Sequence, residues 1–441
     1  MTATTTTLNG PVSRLDPATA YRRPASVPGL LRLDSNEGVL PSPALLGDFA
    51  NADPELLRRY PDVSALEAAL AARVGVAPER LMVTAGADEG IDRACRAFLE
   101  PGRTILLPDP SFDMFDCSAT LAGGELVRIP WRDEAFPIEA FISRLDALTA
   151  VIAVVSPNNP TGSVATLADV RRLAAAAPNA LLILDHVYVE YADDDLTPAV
   201  LDLPNVLVLR TLSKAWGLAG CRVGYAVGSP YVVAVLRAAG GPYTVAAPSV
   251  ALALSQLERG VEPLRAHVAR VRQERRLLTA RLAAAGLLPW PSQANFVLVE
   301  CGPRAGSIRA GLAARGVLVR DFPARPGLDT ALRITLPGDP ADFERLSAAL
   351  EGTLDAEGLA SSALTRRPMP KNVCSTRSCS SRAIRSRSSS RSLTRSDASS
   401  RPRSRSSRPM MRCWSSNRRA LSMANAIRPP RSSATARSAW V

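Results

Sequence analysis

The sequence predicts an α/β fold: a large domain on a mainly parallel sheet with helices on both faces, followed by a smaller α+β domain. Three observations carry that expectation. Apolar runs of strand length alternate with helical patterns through the first two thirds of the chain. Those runs are continuously rich in Val, Ile and Leu, as strands covered on both faces must be. Polar, chemistry-bearing residues recur where the runs end, at 84–89, 156–162, 185–188 and 211–214. In an open α/β sheet, ligands sit beyond the carboxyl ends of the strands.

In chain order, "RLMVTAG" (80–86) reads as a strand feeding the helical "ADEGIDRACRAFLEPG", which Pro101 and Gly102 stop. "TILLPDP" (104–110) and "ELVRIP" (125–130) are strands, and "TAVIAVVSPNNPTG" (149–162) is a buried strand meeting a turn cluster. "RRLAAAAP" is helical, while "ALLILDHVYVEYA" (180–192) and "NVLVLRTLSKAWG" (205–217) read as strands. The charge-free window 238–257 contains Gly240, Gly241, Pro242 and Pro248, so it reads as a loop and a buried helix rather than a membrane span. Beyond it, an Arg-rich amphipathic helix (about 264–285), strands in "ANFVLVE", "GVLVRDF" and "ALRITLP", and a last helix over 340–354 make the smaller domain. The divisions fall at 1–35 for an N-terminal arm, 36–245 for the large domain, 246–356 for the small domain and 357–441 for a tail.

The net charge of +12 over 441 residues invites a nucleic-acid reading. The charge is not evenly spread. Positions 1–360 hold 34 basic and 40 acidic residues, a net charge of −6, and the basicity belongs to the Arg/Ser-rich tail. That tail has no periodicity and too few large apolar groups to offset chain entropy, so disorder is expected there. Two origins are open for it: a segment that binds nucleic acid through phosphates, or translation from the wrong frame. The seven cysteines include no CxxC pair, and with two histidines in the chain no metal site is expected. "MTATTTTLNG" lacks a basic region before an apolar run, so no secretory signal is visible and a cytoplasmic protein is expected.

Within positions 1–360 there are 33 arginines and a single lysine, Lys214. An arginine stays protonated in a protein, whereas a lysine amine can become neutral and attack a carbonyl. Around it stand Thr211, Ser213 and Arg222, hydroxyls and a guanidinium suited to a phosphate group. A second phosphate cradle is "TAGADEG", where the first free helical N–H groups belong to Ala87 and Asp88. Asp185 ends the apolar "LLIL", a carboxylate in a dry place that needs a partner such as a protonated ring nitrogen. Lysine, phosphate sites and buried aspartate together describe pyridoxal 5′-phosphate. Each motif alone has an ordinary structural explanation, so the joint pattern carries the inference.

From about Pro17 to Leu354 the chain resembles the fold-type-I pyridoxal-phosphate aminotransferases, nearest the histidinol-phosphate aminotransferases. The matching motifs are "SNE" (35–37), "YPD" (60–62), "GADEGID" (86–92), "SPNNPTG" (156–162), "DHVY" (185–188), "RTLSKAWGLAGCRVGY" (210–225), "VLVRDF" (317–322) and "LRITL" (332–336). The resemblance implies a seven-stranded sheet in the large domain. It implies that Lys214 carries the cofactor aldehyde as an imine and later moves the substrate Cα proton, while Asp185 keeps the ring nitrogen protonated. Asn159 and Tyr188 would bond the phenolic oxygen, and Phe112 would stack on the ring. Ala87, Asp88, Thr211, Ser213 and Arg222 would hold the phosphate. Tyr60 would reach it from a second subunit, which implies a homodimer. Asn36 and Arg333 would contact substrate, Arg333 through an α-carboxylate where there is one.

The chain departs from that pattern twice, with His186 in place of a glutamate and Phe112 where relatives often have tyrosine. Tyr21 and Arg320 stand where family members hold the distal phosphate of histidinol phosphate. The expected reaction therefore pairs histidinol phosphate with 2-oxoglutarate. A decarboxylase of a phosphorylated amino acid, similar to threonine-phosphate decarboxylases, and an aromatic or secondary-metabolism aminotransferase are the rivals within the fold. The rival outside it is an RNA-binding protein with an inert aminotransferase body.

Overall fold

Strands buried on both faces form the centre of the protein, seen in a computed structural model that describes residues 29–359 apart from Asp133 and Ala324. The arm before residue 29, with Tyr21, and the tail from residue 360 lie outside the described residues. Among the described residues the strands are β1 (Leu31–Leu33), β2 (Leu81–Thr84), β3 (Thr104–Asp109), β4 (Glu125–Pro130), β5 (Thr149–Val155), β6 (Leu181–Asp185), β7 (Val206–Thr211), β8 (Gly224–Val227), β9 (Leu288–Pro289), β10 (Phe296–Glu300), β11 (Val317–Asp321) and β12 (Ala331–Thr335).

Seven of them make one sheet in the order β2-β8-β7-β6-β5-β3-β4, parallel except for β8, which runs antiparallel to both neighbours. Because side chains alternate along a strand, each strand supplies both faces. Ile105, Leu107, Val151, Ala153, Val155, Ile183, Leu207 and Leu209 pack on one side with Ile91, Ala94 and Cys95 of the helix Gly86–Phe98. Leu106, Ile152, Val154, Leu182, Leu184, Val206 and Val208 pack on the other with Leu66 and Leu70 of the helix Ser64–Val74 and with Val170 and Leu173 of the helix Leu167–Ala176. That two-sided cover is why the sequence shows unbroken apolar runs instead of alternation.

The second sheet has five strands, β1-β11-β12-β10-β9. Helices Val261–Ala284, Ala305–Ala314 and Pro340–Ala356 accompany it. The strand expected over 180–192 is shorter than its apolar pattern: β6 ends at Asp185, and Val189–Tyr191 form a 3-10 turn. The physical reason is a change of backbone partner: Val189 N–H donates to the His186 carbonyl at 3.1 Å and Tyr191 N–H to the Tyr188 carbonyl at 3.0 Å, local turn bonds in place of ladder bonds. The short strands β1, β8 and β9, of 3, 4 and 2 residues, are too brief for an apolar pattern to predict them. No helix among the described residues is long and apolar enough to cross a membrane.

Candidate active site

β2, β3, β5, β6 and β7 run in the same direction and end at one edge of the large sheet, where the antiparallel β8 begins. Lys214 follows β7 by three residues and is half-buried. Its Nζ lies 5.6 Å from the centre of the Tyr188 ring and 3.4 Å from the Ser35 carbonyl. The backbone here is tightly enclosed: a Cβ on Gly38 would collide with the Lys214 carbonyl oxygen.

The next group is a cradle of donors. Helix Gly86–Phe98 starts directly beyond β2, leaving the N–H groups of Ala87 and Asp88 in its first turn without helical acceptors. Arg222 closes over that turn. Its Nη2 is 3.0 Å from the Asp88 carboxylate and its Nη1 is 3.4 Å from Ser213 Oγ. The Thr211 hydroxyl accepts from the Ser213 N–H at 3.0 Å, which folds the chain between β7 and Lys214. A Cβ on Gly224 would stand 2.5 Å from the Gly86 carbonyl carbon and 2.6 Å from Ala87 N, so only glycine lets β8 approach this helix start. Arg222 itself has φ +52°. Among the described residues only Asn36, at φ +55°, is another non-glycine at positive φ. Both are drawn to this one edge, where surrounding structure holds backbone that L-residues disfavour.

Asp185 is fully buried and receives one long hydrogen bond, from Val187 N–H at 3.3 Å. Burial pushes its carboxyl up to about 7, opposed by that bond and by the Lys214 charge. Beside it, His186 is also buried. Its Nδ1 donates to the Ser156 carbonyl, and its Nε2 accepts from Leu196 N–H at 3.2 Å. Both ring nitrogens are thus engaged with backbone, and desolvation holds the imidazole down to about 4. His186 is a neutral brace between the ends of β5 and β6, not a base.

Residues distant in sequence complete the site. Asn36 Nδ2 donates to the Tyr188 hydroxyl at 3.0 Å, and Asn36 Oδ1 accepts from the Thr335 hydroxyl at 2.8 Å. Arg333 donates through Nη1 to Asn159 Oδ1 at 2.6 Å and through Nη2 to the Asp34 carbonyl at 2.8 Å. Arg320 is the cross-strand partner of Arg333, and both guanidinium carbons lie 5.9 Å from the centre of the Phe322 ring. Phe112, half-buried, stands on the turn between β3 and the helix Met114–Ala122.

Contacts and strand ends therefore unite Lys214, Asp185, Tyr188, Asn36, Asn159 and Arg333 at one edge, with Thr211, Ser213, Arg222, Ala87 and Asp88 as the neighbouring cradle. Tyr60 is apart: its ring stacks on Tyr243 at 4.7 Å and is 80 % exposed. Tyr21 lies outside the described residues. Sequence reading missed Thr335, Asn295 and the Ser35 carbonyl. Asn295 Nδ2 donates to the Asn36 carbonyl at 3.3 Å, and 259 residues separate the two. Nothing local marks such a pair.

Residues 30–350 match the family described as aminotransferase class I and II. The chain is 37% identical over 360 residues to a histidinol-phosphate aminotransferase of Rhodospirillum centenum, covering 78% of this chain and 98% of that one. It is 36% identical over 310 residues to an aromatic amino acid aminotransferase of Mycobacteroides abscessus, covering 69% of this chain and 89% of the relative. Among solved structures it is similar to the histidinol-phosphate aminotransferase of Sinorhizobium meliloti in complex with pyridoxal-5′-phosphate, with TM-score 0.67, 27% identity, and 74% and 91% of the two chains covered. The family depends on pyridoxal phosphate. With Lys214, the buried Asp185 and the cradle under Arg222 at one sheet edge, and with that match over both sheets, the chain belongs to the class I and II aminotransferases.

Proposed function

We propose that this protein is a pyridoxal-phosphate aminotransferase that moves the amino group of histidinol phosphate to 2-oxoglutarate, giving imidazole acetol phosphate and glutamate. The observation that carries the substrate reading is the pair Arg320 and Arg333. Like charges directly opposite on adjacent strands repel, and Arg320 has no carboxylate partner among the described residues. A doubly charged phosphate would relieve that repulsion. Two of the three relatives reported above carry the name histidinol-phosphate aminotransferase, which supports this reading.

Two observations say that the residues fit the cofactor. The space above the Gly86 helix start is one that a Cβ on Gly86 or Gly224 would invade, and Arg222, Ser213 and two free N–H groups surround it, a set suited to a phosphate. Asp185 is buried with no cationic partner at hydrogen-bonding distance among the described residues, which suits a protonated ring nitrogen. When bound, pyridoxal phosphate supplies the aldehyde that takes up the amino group and the ring that accepts the electron pair from the substrate's Cα.

The chain's own residues have separate tasks. Asp185 holds a proton at the ring nitrogen, and its burial strengthens that attraction. Lys214 Nζ would take the proton from the substrate's Cα and return it two atoms along, at the carbon that had been the cofactor's aldehyde. Asn159 and Tyr188, fixed by Arg333 and Asn36 respectively, present polar atoms to the phenolic oxygen. Phe112 covers a ring face and excludes water. Arg320, with Tyr21 of the N-terminal arm, takes the distal phosphate. Tyr60, exposed in one chain, reaches the phosphate cradle of a second copy in a cytoplasmic homodimer. The cofactor-binding body spans 36–245, and the smaller body, which contributes Arg320 and Arg333, spans 246–356.

A substrate panel with 2-oxoglutarate as acceptor tests this. Histidinol phosphate should exceed histidinol in kcat/KM by about a hundredfold, the scale of a charge-assisted arginine contact, and Arg320→Ala should remove most of that preference. A preference for aromatic amino acids would favour the aromatic reading. Release of CO2 without a keto acid would favour a decarboxylase.

A further inference from the structure

The turn that carries Phe112 is held by a residue more than two hundred positions later in the chain. Arg325, in the connection between β11 and β12, donates through Nη1 to the Ser111 carbonyl at 2.8 Å and to the Asp113 carboxylate. Its Nη2 is 3.5 Å from Asp109 Oδ1. The residues on either side of Phe112 are therefore bound by one guanidinium. Asp113 occupies the N-cap position of the helix Met114–Ala122 yet makes no side-chain cap. An aspartate there ordinarily accepts a first-turn N–H. Its carboxylate is instead turned to Arg325. Ser111 is fixed from the other direction as well, its hydroxyl donating to Asn158 Oδ1 at 2.9 Å. Asn158 in turn donates to the Pro110 carbonyl and the Thr161 hydroxyl, both at 2.9 Å. The Phe112 turn is clamped between the "SPNNPTG" turn and Arg325.

We propose that Arg325 is a positioning residue for the cofactor: it sets the Phe112 ring by gripping Ser111 and Asp113 on both sides of it. The proposal rests on the reading that Phe112 lies against the cofactor ring. Phe112 has no hydroxyl with which to anchor itself, so its placement depends on its backbone and on apolar packing against the sheet. A planar fork with several donors in fixed geometry can engage a carbonyl and two carboxylates together, which a lysine ammonium does less well. The same connection lies between Arg320 and Arg333 in sequence, so the segment that carries the substrate arginines also sets the wall of the cofactor site.

Equilibrium dialysis of the full-length loaded protein measures the dissociation constant for pyridoxal phosphate in Phe112→Ala, Arg325→Ala and the double variant, with melting temperature recorded alongside. We expect each single change to weaken binding by about tenfold, the scale of one aromatic contact for Phe112 and of one charge-assisted hydrogen bond for Arg325, and the double variant to be no weaker than the weaker single. Arg325→Lys should recover only part of the loss. If Phe112→Ala leaves the constant unchanged, the reading of Phe112 fails and the proposal with it. If Phe112→Ala weakens binding while Arg325→Ala lowers only the melting temperature, Arg325 is a structural tether and the proposal alone fails. A double variant whose losses multiply would also overturn it, since Arg325 would then act independently of the ring. Should Arg325→Ala fail to fold, Asp113→Asn removes one of its partners and is read in the same way.

Discussion

Arg333 Nη1 meets Asn159 Oδ1 at 2.6 Å across 174 residues of sequence. One strand of the small sheet is thereby tied to the turn that ends β5 in the large sheet. Arg333 also holds the Asp34 carbonyl at 2.8 Å, so a single guanidinium joins three segments at the mouth of the site. In the role proposed for it, Arg333 would meet a substrate anion with its guanidinium already oriented by these hydrogen bonds, so little side-chain entropy would be lost on binding.

Arg333→Ala should therefore lower kcat/KM by about one to two orders of magnitude, the range for losing a charged hydrogen bond. Arg333→Lys should recover little, because a lysine ammonium cannot span Asn159 and the Asp34 carbonyl as a fork does. Steady-state kinetics on the two variants check this, and a fully active Arg333→Lys would contradict it.

Lys214 is expected to be the attachment point of the cofactor. Borohydride treatment of the loaded protein should place a stable tag on the peptide spanning residue 214, seen by mass mapping. Lys214→Ala should lose activity by at least about a hundredfold, in keeping with a positioned proton-transfer group. A tag elsewhere in the chain would overturn the assignment of the nucleophile.

The phosphate cradle predicts a selective defect. Gly86 has φ +77°, and a Cβ there would press against the Arg222 guanidinium. Gly86→Ala should displace Arg222 and weaken pyridoxal phosphate binding by about tenfold or more, the value of a charge-assisted contact. Binding of pyridoxal, which lacks the phosphate, should change far less. Equal losses for both ligands would place the phosphate elsewhere.

Asp185 gives the cofactor-free protein a pH dependence of definite sign. Its folded pKa, raised to about 7 by burial, is above the unfolded value of about 4. The folded state then binds more protons between those values, so this group's contribution to stability falls as pH rises from about 4 to 7 and is level beyond. The Asp185→Asn variant has no carboxyl to ionise. Its melting temperature relative to the parent should therefore rise across that window, the effect being on the order of a few kcal/mol at most. If Asp185→Asn tracks the parent at every pH, the carboxyl is stabilised by something other than protonation.

Shared sites can be tested by mixing. Neither Lys214→Ala nor Tyr60→Ala homodimers should retain much activity, yet a mixture refolded together should recover up to about a quarter of it, since one site in a hybrid has both residues. Recovery of nothing would place Tyr60 in its own chain's site or outside any site.

Much of the site was legible because its chemistry gathers at strand ends. The runs at 149–155 and 206–211 appear as β5 and β7, and Asn159 and Lys214 follow them within a few residues. β8, only Gly224–Val227, was not legible: four residues between two antiparallel neighbours carry no periodicity that separates a strand from a loop. The overrun past Asp185 has a similar origin, because "HVYVEY" alternates like a strand while Val189 N–H and Tyr191 N–H donate to the His186 and Tyr188 carbonyls. Arg325 gave no signal, since its three partners lie more than two hundred residues earlier.

What the amino-acid order determined alone was the alternation of buried strands and helices, the isolated lysine in an arginine-rich body, and the hydroxyls, aspartate and glycines at the strand ends. These are local properties, set by side-chain type and by spacings of two or about 3.6 residues. Which distant atoms meet was decided only in three dimensions: Asn36 with Tyr188 and Thr335, Arg333 with Asn159, Arg325 with Ser111 and Asp113. Hydrogen bonds act over about 3 Å, and only the packing of the two sheets brings residues hundreds of positions apart within that range.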